Sequence, residues 1–413
     1  MVGSFILFAM LFKLPIGISL IIASIAGAFV AGEGVPIRHL VEGSFLYFDP
    51  ILIIATAMIF MEVIRRSGAL GSISRFIIVR MHRRPFWLLF FLTLFIMFPG
   101  MITGLSTATV LTTGAIAAPA LMLLGIPHVT VAAMIAMSAI LGMIAPPINV
   151  PAMIIGGGVD MPYIGFELPL MFATFPLAIS FNLALGYKYV RNIQIDKMIP
   201  KLDTDYFEIY GWRLFLPLLV VIVLMLGVRI FPAVFPNLGV SLIFIIGAII
   251  GLFCGKKMNF WHVSHSAIQE ALPVIGILLG IGMFIQIMTL TGVRGLLVIG
   301  SLSLPSFWRY VSIAVMVPLF GAVSAYGSAS VLGVPFLLAF LGKNEIIVGS
   351  AISLIAGLGD LMPPTALAGI FAAQVVKEKN YFKVLKVTLI PAVITALWGI
   401  LMILSANFLA KFM

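Results

Sequence analysis

The 413-residue chain is 62% apolar and 9% charged, where an ordinary soluble domain is roughly 45–50% apolar and about 25% charged. No soluble catalytic or nucleotide-binding domain fits between its apolar runs, and the net charge of +10 suits loops lying against anionic lipid rather than a nucleic-acid groove, which would interleave bases with aromatics. The lone Cys254 excludes an intramolecular disulfide and a cysteine metal cluster, and the five histidines show no ligand spacing.

Apolar runs and breaker residues predict an all-α polytopic membrane protein with about 11 transmembrane spans plus two re-entrant hairpins. The first run, 3–31, has no small-residue cleavage site and reads as a span rather than a removable signal. Spans at 49–66 and 85–101 follow. The piece 103–127 differs, because "GLSTATVLTTG" and Pro119 make it rich in small and hydroxyl residues. A re-entrant hairpin is expected there, since irregular backbone at membrane depth needs protein or water around it. Next come 128–158, which contains "GMIAPPINVPAMI", and 165–190. After a connecting loop at 191–212, spans are expected at 213–231, 237–254, 269–291 and 305–320. A second hairpin at 321–343 carries "GAVSAYGSAS" and Pro335, and 345–376 with "GLGDLMPPTALAGI" and 384–409 complete the chain.

The two halves match at one offset. Adding 217 to Gly104, Gly125, Gly142, Pro146 and Pro147 gives Gly321, Gly342, Gly359, Pro363 and Pro364. The expected organisation is an internal duplication, with repeat 1 over 1–190 and repeat 2 over 213–413.

A double proline removes two backbone donors, so a helix crossing at Pro146–Pro147 or Pro363–Pro364 must open there. It leaves free carbonyls on one side and free amides on the other. In hydrocarbon such a break persists only where it lines a site, and paired broken spans point to a transporter's midplane binding site. Hydroxyls of Ser106, Thr107, Thr109, Ser324, Ser328 and Ser330 can coordinate a hard cation or a substrate oxygen, or can serve close helix packing. Asn149 and Thr365 sit just past the breaks and carry more weight as substrate contacts. Asp360, the one acid deep in either repeat, is an ion ligand, a proton carrier or a helix cap.

Orientation conflicts with these spans. Lys and Arg cluster at 65–84, 188–213, 256–257 and 377–386, and all belong in the cytoplasm. Three expected spans separate the first cluster from the second, which puts them on opposite faces.

At these residues, from "FKLPIGISLIIA" and "FDPILIIATAMIFMEVIRRSGAL" through to "LMPPTALAGI", the chain resembles the large membrane subunit of the tripartite ATP-independent periplasmic transporters, within a superfamily of elevator-type carriers. The resemblance implies inverted repeats and a scaffold with a moving transport domain. It also implies a first ion site from hairpin residues around Gly104 to Thr109, Ser106 among them, with Gly142 and the carbonyls before Pro146 such as Ala145. A second would come from Ser324 to Ser330 with Gly359 and the carbonyls before Pro363 such as Met362; Asp360 is an acid that the family pattern lacks there. The family's acid–proline pair at the second hairpin and its Thr before the second double proline are absent; the latter position is Met362.

The expected function is Na+-coupled symport of a small organic anion, a carboxylate or dicarboxylate, across a bacterial or archaeal cytoplasmic membrane. Proton coupling through Asp360 is the alternative. No cofactor is expected beyond Na+ as coupling ion. The expected partners are the lipid bilayer, a small membrane subunit and an extracytoplasmic binding protein, with no nucleic acid. An intramembrane enzyme or a channel fits less well. No catalytic constellation appears, His39, His82, His128, His262 and His265 lie at span ends or in loops, and matched breaks suit alternating access.

Overall fold

A computed structural model describes residues 1–190, 206–231, 235–236 and 238–413. Most of the expected connecting loop, 191–212, lies outside the described residues. Every named element is a helix. Among the described residues six helices are by themselves long and apolar enough to cross a bilayer, or seven if the pair Ile37–Ser44 and Phe48–Ser67, bent by 44°, is one span.

The first expected span is two helices, α1 (Val2–Leu11) and α2 (Ile16–Val30), because Lys13 takes a left-handed φ of 53° and Pro15 cannot continue a helix. Next come α3 (Ile37–Ser44) and α4 (Phe48–Ser67). Asp49 in the first turn of α4 and Arg65 and Arg66 in its last complement the helix dipole. Gly68, with φ 91°, ends α4 and starts α5 (Ala69–Met81).

Then come α6 (Pro85–Thr103) and α7 (Ser106–Leu123), turned at Gly104, whose φ is 67°. They run antiparallel: Thr113 Oγ donates to the Ile96 carbonyl (2.9 Å), and a Cβ on Gly100 would meet Thr109 Oγ. The expectation of a span at 85–101 and a separate hairpin at 103–127 is therefore corrected. The hairpin is 85–123, and 106–123 is only its returning arm. Gly, Ser and Thr are dense around the turn because backbones approach closely there, and this enrichment resembles that of a complete hairpin.

The first broken helix is α8 (His128–Ile144) and α9 (Val150–Gly157), followed by α10 (Glu167–Val190). α11 (Tyr206–Val228) and α12 (Gly239–Gly251) precede the long α13 (Phe260–Leu290), which begins nine residues before its expected start. α14 (Val293–Ser303) leads to a second antiparallel pair, α15 (Ser306–Gly321) and α16 (Ala325–Leu338). Here Ser328 Oγ donates to the Val317 carbonyl (2.5 Å). As in the first half, this pair replaces an expected span, 305–320, and an expected hairpin, 321–343. The second broken helix is α17 (Glu345–Gly357) and α18 (Leu367–Val375), and α19 (Tyr381–Leu404) follows.

The centre of the fold is α8 and α17. From Val131 to Ile144, and from Ile347 to Gly357, every residue is buried, as befits helices apolar on all sides. The other pole is α13, packed by α2, α3 and α4. A Cβ on Gly43 would sit 2.7 Å from the Gly282 carbonyl oxygen, so small residues set that helix–helix approach.

The corrected hairpins resolve the charge conflict. Whether α6 and α7 cross or turn back within the bilayer, the pair returns the chain to the face it left. The broken α8–α9 and α10 then make two crossings, so Lys188 arrives on the face of Arg65–Arg84. The α11–α12 pair ends there too, and α13 with the broken α17–α18 brings Lys377–Lys386 to it. Direct contacts agree: Arg66 meets His262 (2.8 Å) in the first turn of α13, Lys256 lies over the Tyr206 ring (3.9 Å), and His128 meets Glu378 (3.0 Å). By the positive-inside rule this basic face reads as the cytoplasmic one.

Candidate functional site

The residue before a proline is pushed out of the helical region, and α8 accordingly ends at Ala145 in an extended conformation (φ −69°, ψ 151°). Pro146 and Pro147 remove the donors due to the carbonyls of Gly142 and Met143. Gly142 O recovers a partner three residues on, from Ala145 N (3.2 Å). The second break repeats this: Met362 is extended, and Gly359 O accepts from Met362 N (2.8 Å). In both breaks the carbonyl one residue later, Met143 or Asp360, loses its helical donor to the second proline.

Each break is held against a hairpin tip. Ile148 N donates to the Met101 carbonyl (3.1 Å), and a Cβ on Gly142 would lie 2.6 Å from Met97 O, so glycine is required for α6 and α8 to touch. In the second half Thr365 Oγ donates to the Ala322 carbonyl (2.7 Å), and a Cβ on Gly321 would lie 2.9 Å from Gly359 Cα. Ala366 starts α18 with φ 38°, a conformation unfavourable for a residue with a side chain. Tyr381 Oη donates to the Leu361 carbonyl.

Several candidate side chains are occupied within this frame. Asn149 caps α9, accepting from Ala152 N (2.9 Å), and its amide donates to the Ile144 carbonyl and to Ser353 Oγ, both at 2.9 Å. Both amide hydrogens are thus spent on closing the break and joining it to α17. Ser324 caps α16, accepting from Gly327 N (3.1 Å), and Thr109 bonds back to the Leu105 carbonyl (3.4 Å). Ser328, like these two, is bonded within its own hairpin. Thr107 is half-buried on the first turn of α7. Ser330 Oγ is buried without a hydrogen-bond partner. It opens on a small cavity shared with Met288 and Arg294, turned toward α13 and α14 rather than toward the second break.

The two halves meet at one place. Ser106 Oγ, at the tip of the first hairpin, donates to the carboxylate of Asp360, in the turn before the second double proline. Tyr326 Oη, on the first turn of α16, donates to the Gly104 carbonyl (3.0 Å) and lies 3.7 Å from Met143 Sδ. Asp360 is 5% exposed. Among the described residues its hydrogen-bond partner is Ser106, and no Lys, Arg or His lies within ion-pair distance of it. Ser106 and Asp360, expected in different halves of the site, lie in direct contact. The groups gathered there include a carboxylate, two hydroxyls and the Gly104 carbonyl, oxygens of the kind that suit a hard cation. Among the described residues no group of three His, Cys, Asp or Glu could hold a metal ion.

Sequence reasoning missed Tyr326, Ser353 and Tyr163, whose Oη meets Asn149 N at 3.2 Å. Tyr326 stood inside the quoted "GAVSAYGSAS", and a phenol in a small-residue tip was the available signal. Ser353, in an unbroken apolar helix, gave none.

The matched breaks, braced by two hairpin tips around a buried acid, have a counterpart among known families. Residues 2–408 match the model described as Tripartite ATP-independent periplasmic transporter, DctM component. The chain belongs to this family. DctM proteins work with a small membrane subunit and a periplasmic binding protein. The chain is thus the multi-pass cell-membrane component of a secondary transporter and not an enzyme. No curated protein matches it. Among solved structures this DctM chain is similar to the YdaH transporter of Alcanivorax borkumensis, at TM-score 0.61 and 18% identity over 89% of this chain and 87% of that one. It is also similar to MtrF of Neisseria gonorrhoeae, described as illuminating a class of antimetabolite efflux pumps, at TM-score 0.63 and 14% identity over 98% and 95%. At these identities the likeness is one of fold.

Proposed function

We propose that this DctM chain couples inward Na+ movement to uptake of a small organic anion, a carboxylate or dicarboxylate, with a small membrane subunit and an extracytoplasmic binding protein delivering the substrate. The observation that carries the reading is the Ser106–Asp360 contact: a buried carboxylate with no cationic side chain within ion-pair distance among the described residues, bonded to the tip of the first hairpin, which the second hairpin's Tyr326 also bonds. An uncompensated carboxylate at that depth is expensive, and a bound Na+ would neutralise it. An anionic substrate would then be held by hydroxyls and by half-helix amides beside the ion.

The mechanism we propose is an elevator. The two broken helices, their hairpins, α10 and α19 form the moving body, and α2, α3, α4, α11, α12 and α13 form the scaffold. The two poles of packing around α8–α17 and around α13 support that division. Proton coupling is the alternative, and the same observation admits it, since a carboxylate donated to by one hydroxyl can also carry a proton. Reconstitution of the complete transporter in liposomes decides between them. Uptake of a labelled dicarboxylate should follow an imposed Na+ gradient at constant pH. Uptake that follows a proton gradient without Na+ would establish the alternative.

A further inference from the structure

A small cavity of about 10 Å³ lies where the end of α9, the long α13, the first turn of α14 and the returning arm of the second hairpin, α16, come together. Gly158, Arg294 and Ser330 line it, with the apolar side chains Ile285, Met288 and Val334. The packing around it is close: a Cβ on Gly158 would lie 2.4 Å from a Val334 methyl, and one on Gly333 would lie 2.9 Å from the Ile155 side chain. A volume of about 10–15 Å³ is the least that admits a water molecule, whereas organic ligands occupy sites of about 300 Å³ or more.

Two polar side chains in this lining have bonds to give. Ser330 is 3% exposed, and its hydroxyl has no hydrogen-bond partner among the described residues. Buried hydroxyls in ordinary α-helical turns, such as those of Ser24, Thr93 and Ser350, donate to the carbonyl four residues before. Ser330 lies instead in a π-helical turn, Ala329–Gly333, whose backbone bonds run to the fifth residue before rather than the fourth, and that local acceptor is not used. Arg294, half-buried in the first turn of α14, donates from one guanidinium nitrogen to the Gly158 carbonyl, and among the described residues it has no carboxylate within ion-pair distance. A guanidinium carries five N–H donors and no acceptor, and a serine hydroxyl both donates and accepts. A wholly apolar gap of this size would stay dry, but one with these groups in its wall offers a water the two or more polar partners it needs.

We propose that this cavity holds one ordered water, which accepts from the Arg294 guanidinium and bonds the Ser330 hydroxyl, with the Gly158 carbonyl as a further acceptor beside it. A cavity of this size takes a single water, so one molecule touches all of its sides. It thereby seats the returning arm of the second hairpin on both α14 and the end of the first broken helix.

The test uses the complete transporter in neutral detergent. A cryo-EM map that resolves ordered waters should show one density within hydrogen-bond distance of both Ser330 Oγ and the Arg294 guanidinium. Thermal unfolding supplies an independent sign. With the water in place, Ser330→Ala removes one of its anchors and should lower the Tm by about 1–2 °C; with a bare hydroxyl, the same change removes an unsatisfied buried group and raises the Tm. Arg294→Met should also lower the Tm, through the water and through the Gly158 bond. The double variant should lose less than the sum of the two, because both act on the same water. A dry cavity in the map, a Tm raised by Ser330→Ala, or strict additivity would overturn the proposal. A density that is lost in chloride-free buffer would show a halide ion there and overturn it too.

Discussion

The hydroxyl of Ser106 and the carboxylate of Asp360 are hydrogen-bonded across 254 residues of sequence, joining the first hairpin's tip to the turn before the second double proline. A contact between halves at this point means that neither hairpin can leave its break without disturbing the other half.

Asn149 closes the first break with three hydrogen bonds, to Ala152 N, the Ile144 carbonyl and Ser353 Oγ. Asn149→Ala removes a helix cap and strands two buried groups, which should cost about 2–4 kcal/mol. Asn149→Asp keeps the cap and should recover only part of this. Thermal unfolding of the two variants checks the order, and equal loss in both would contradict it.

Tyr326 ties the second hairpin to the first through the Gly104 carbonyl. Tyr326→Phe should leave the fold intact, lower stability by about 0.5–1.5 kcal/mol and raise hydrogen exchange at the amides around Leu105. Combined with Ser106→Ala, its effect should be non-additive, because both bonds hold the same tip. Strict additivity would separate the two contacts.

Gly142 and Gly300 differ in what a methyl group would meet. At Gly142 it would lie 2.6 Å from Met97 O, and at Gly300 nothing lies within 4 Å. Gly142→Ala should therefore cost about 1–3 kcal/mol or more. Gly300→Ala, within α14, should be neutral or stabilising by up to about 1 kcal/mol. Similar effects at both sites would show that the α6–α8 approach is not tight.

On the cytoplasmic face Glu378 is held at about 2, below its ordinary 4.5, first by the Asn380 amide and then by His128 and Lys383. A depressed carboxylate adds stability that is complete above the unfolded value and is lost as pH falls through the folded one. The Tm difference between wild type and Glu378→Gln should be constant near neutrality and should shrink between about pH 4.5 and pH 2. A difference that grows on acidification would reverse the sign and refute the assignment.

Much of this arrangement was legible in the sequence for a plain reason. Proline lacks the N–H a helix needs, so Pro146–Pro147 and Pro363–Pro364 announce breaks anywhere, and Asp360 is conspicuous because charge is rare at that depth. The hairpin limits were not legible. Gly104 reverses the chain through its φ of 67°, and the change there from bulky apolar to small and hydroxyl residues marks a hairpin's tip in the same way as it would mark a hairpin's start. That misplacement also produced the charge conflict, because it counted one arm of a returning pair as a crossing. The occupation of Asn149 and Ser324 as caps, and the pairing of Ser106 with Asp360, depend on tertiary contacts that residue type and spacing do not encode.

The most direct test of the account is the Na+ dependence of uptake at fixed pH, in liposomes containing the complete transporter, for wild type and Asp360→Asn. The account predicts a saturable Na+ requirement in wild type. It predicts an apparent Na+ affinity about tenfold to a hundredfold weaker in the variant, the loss of one charged ligand at about 1–3 kcal/mol, with pH dependence unchanged. Uptake independent of Na+ in wild type, or an unaltered Na+ affinity in Asp360→Asn, would contradict it.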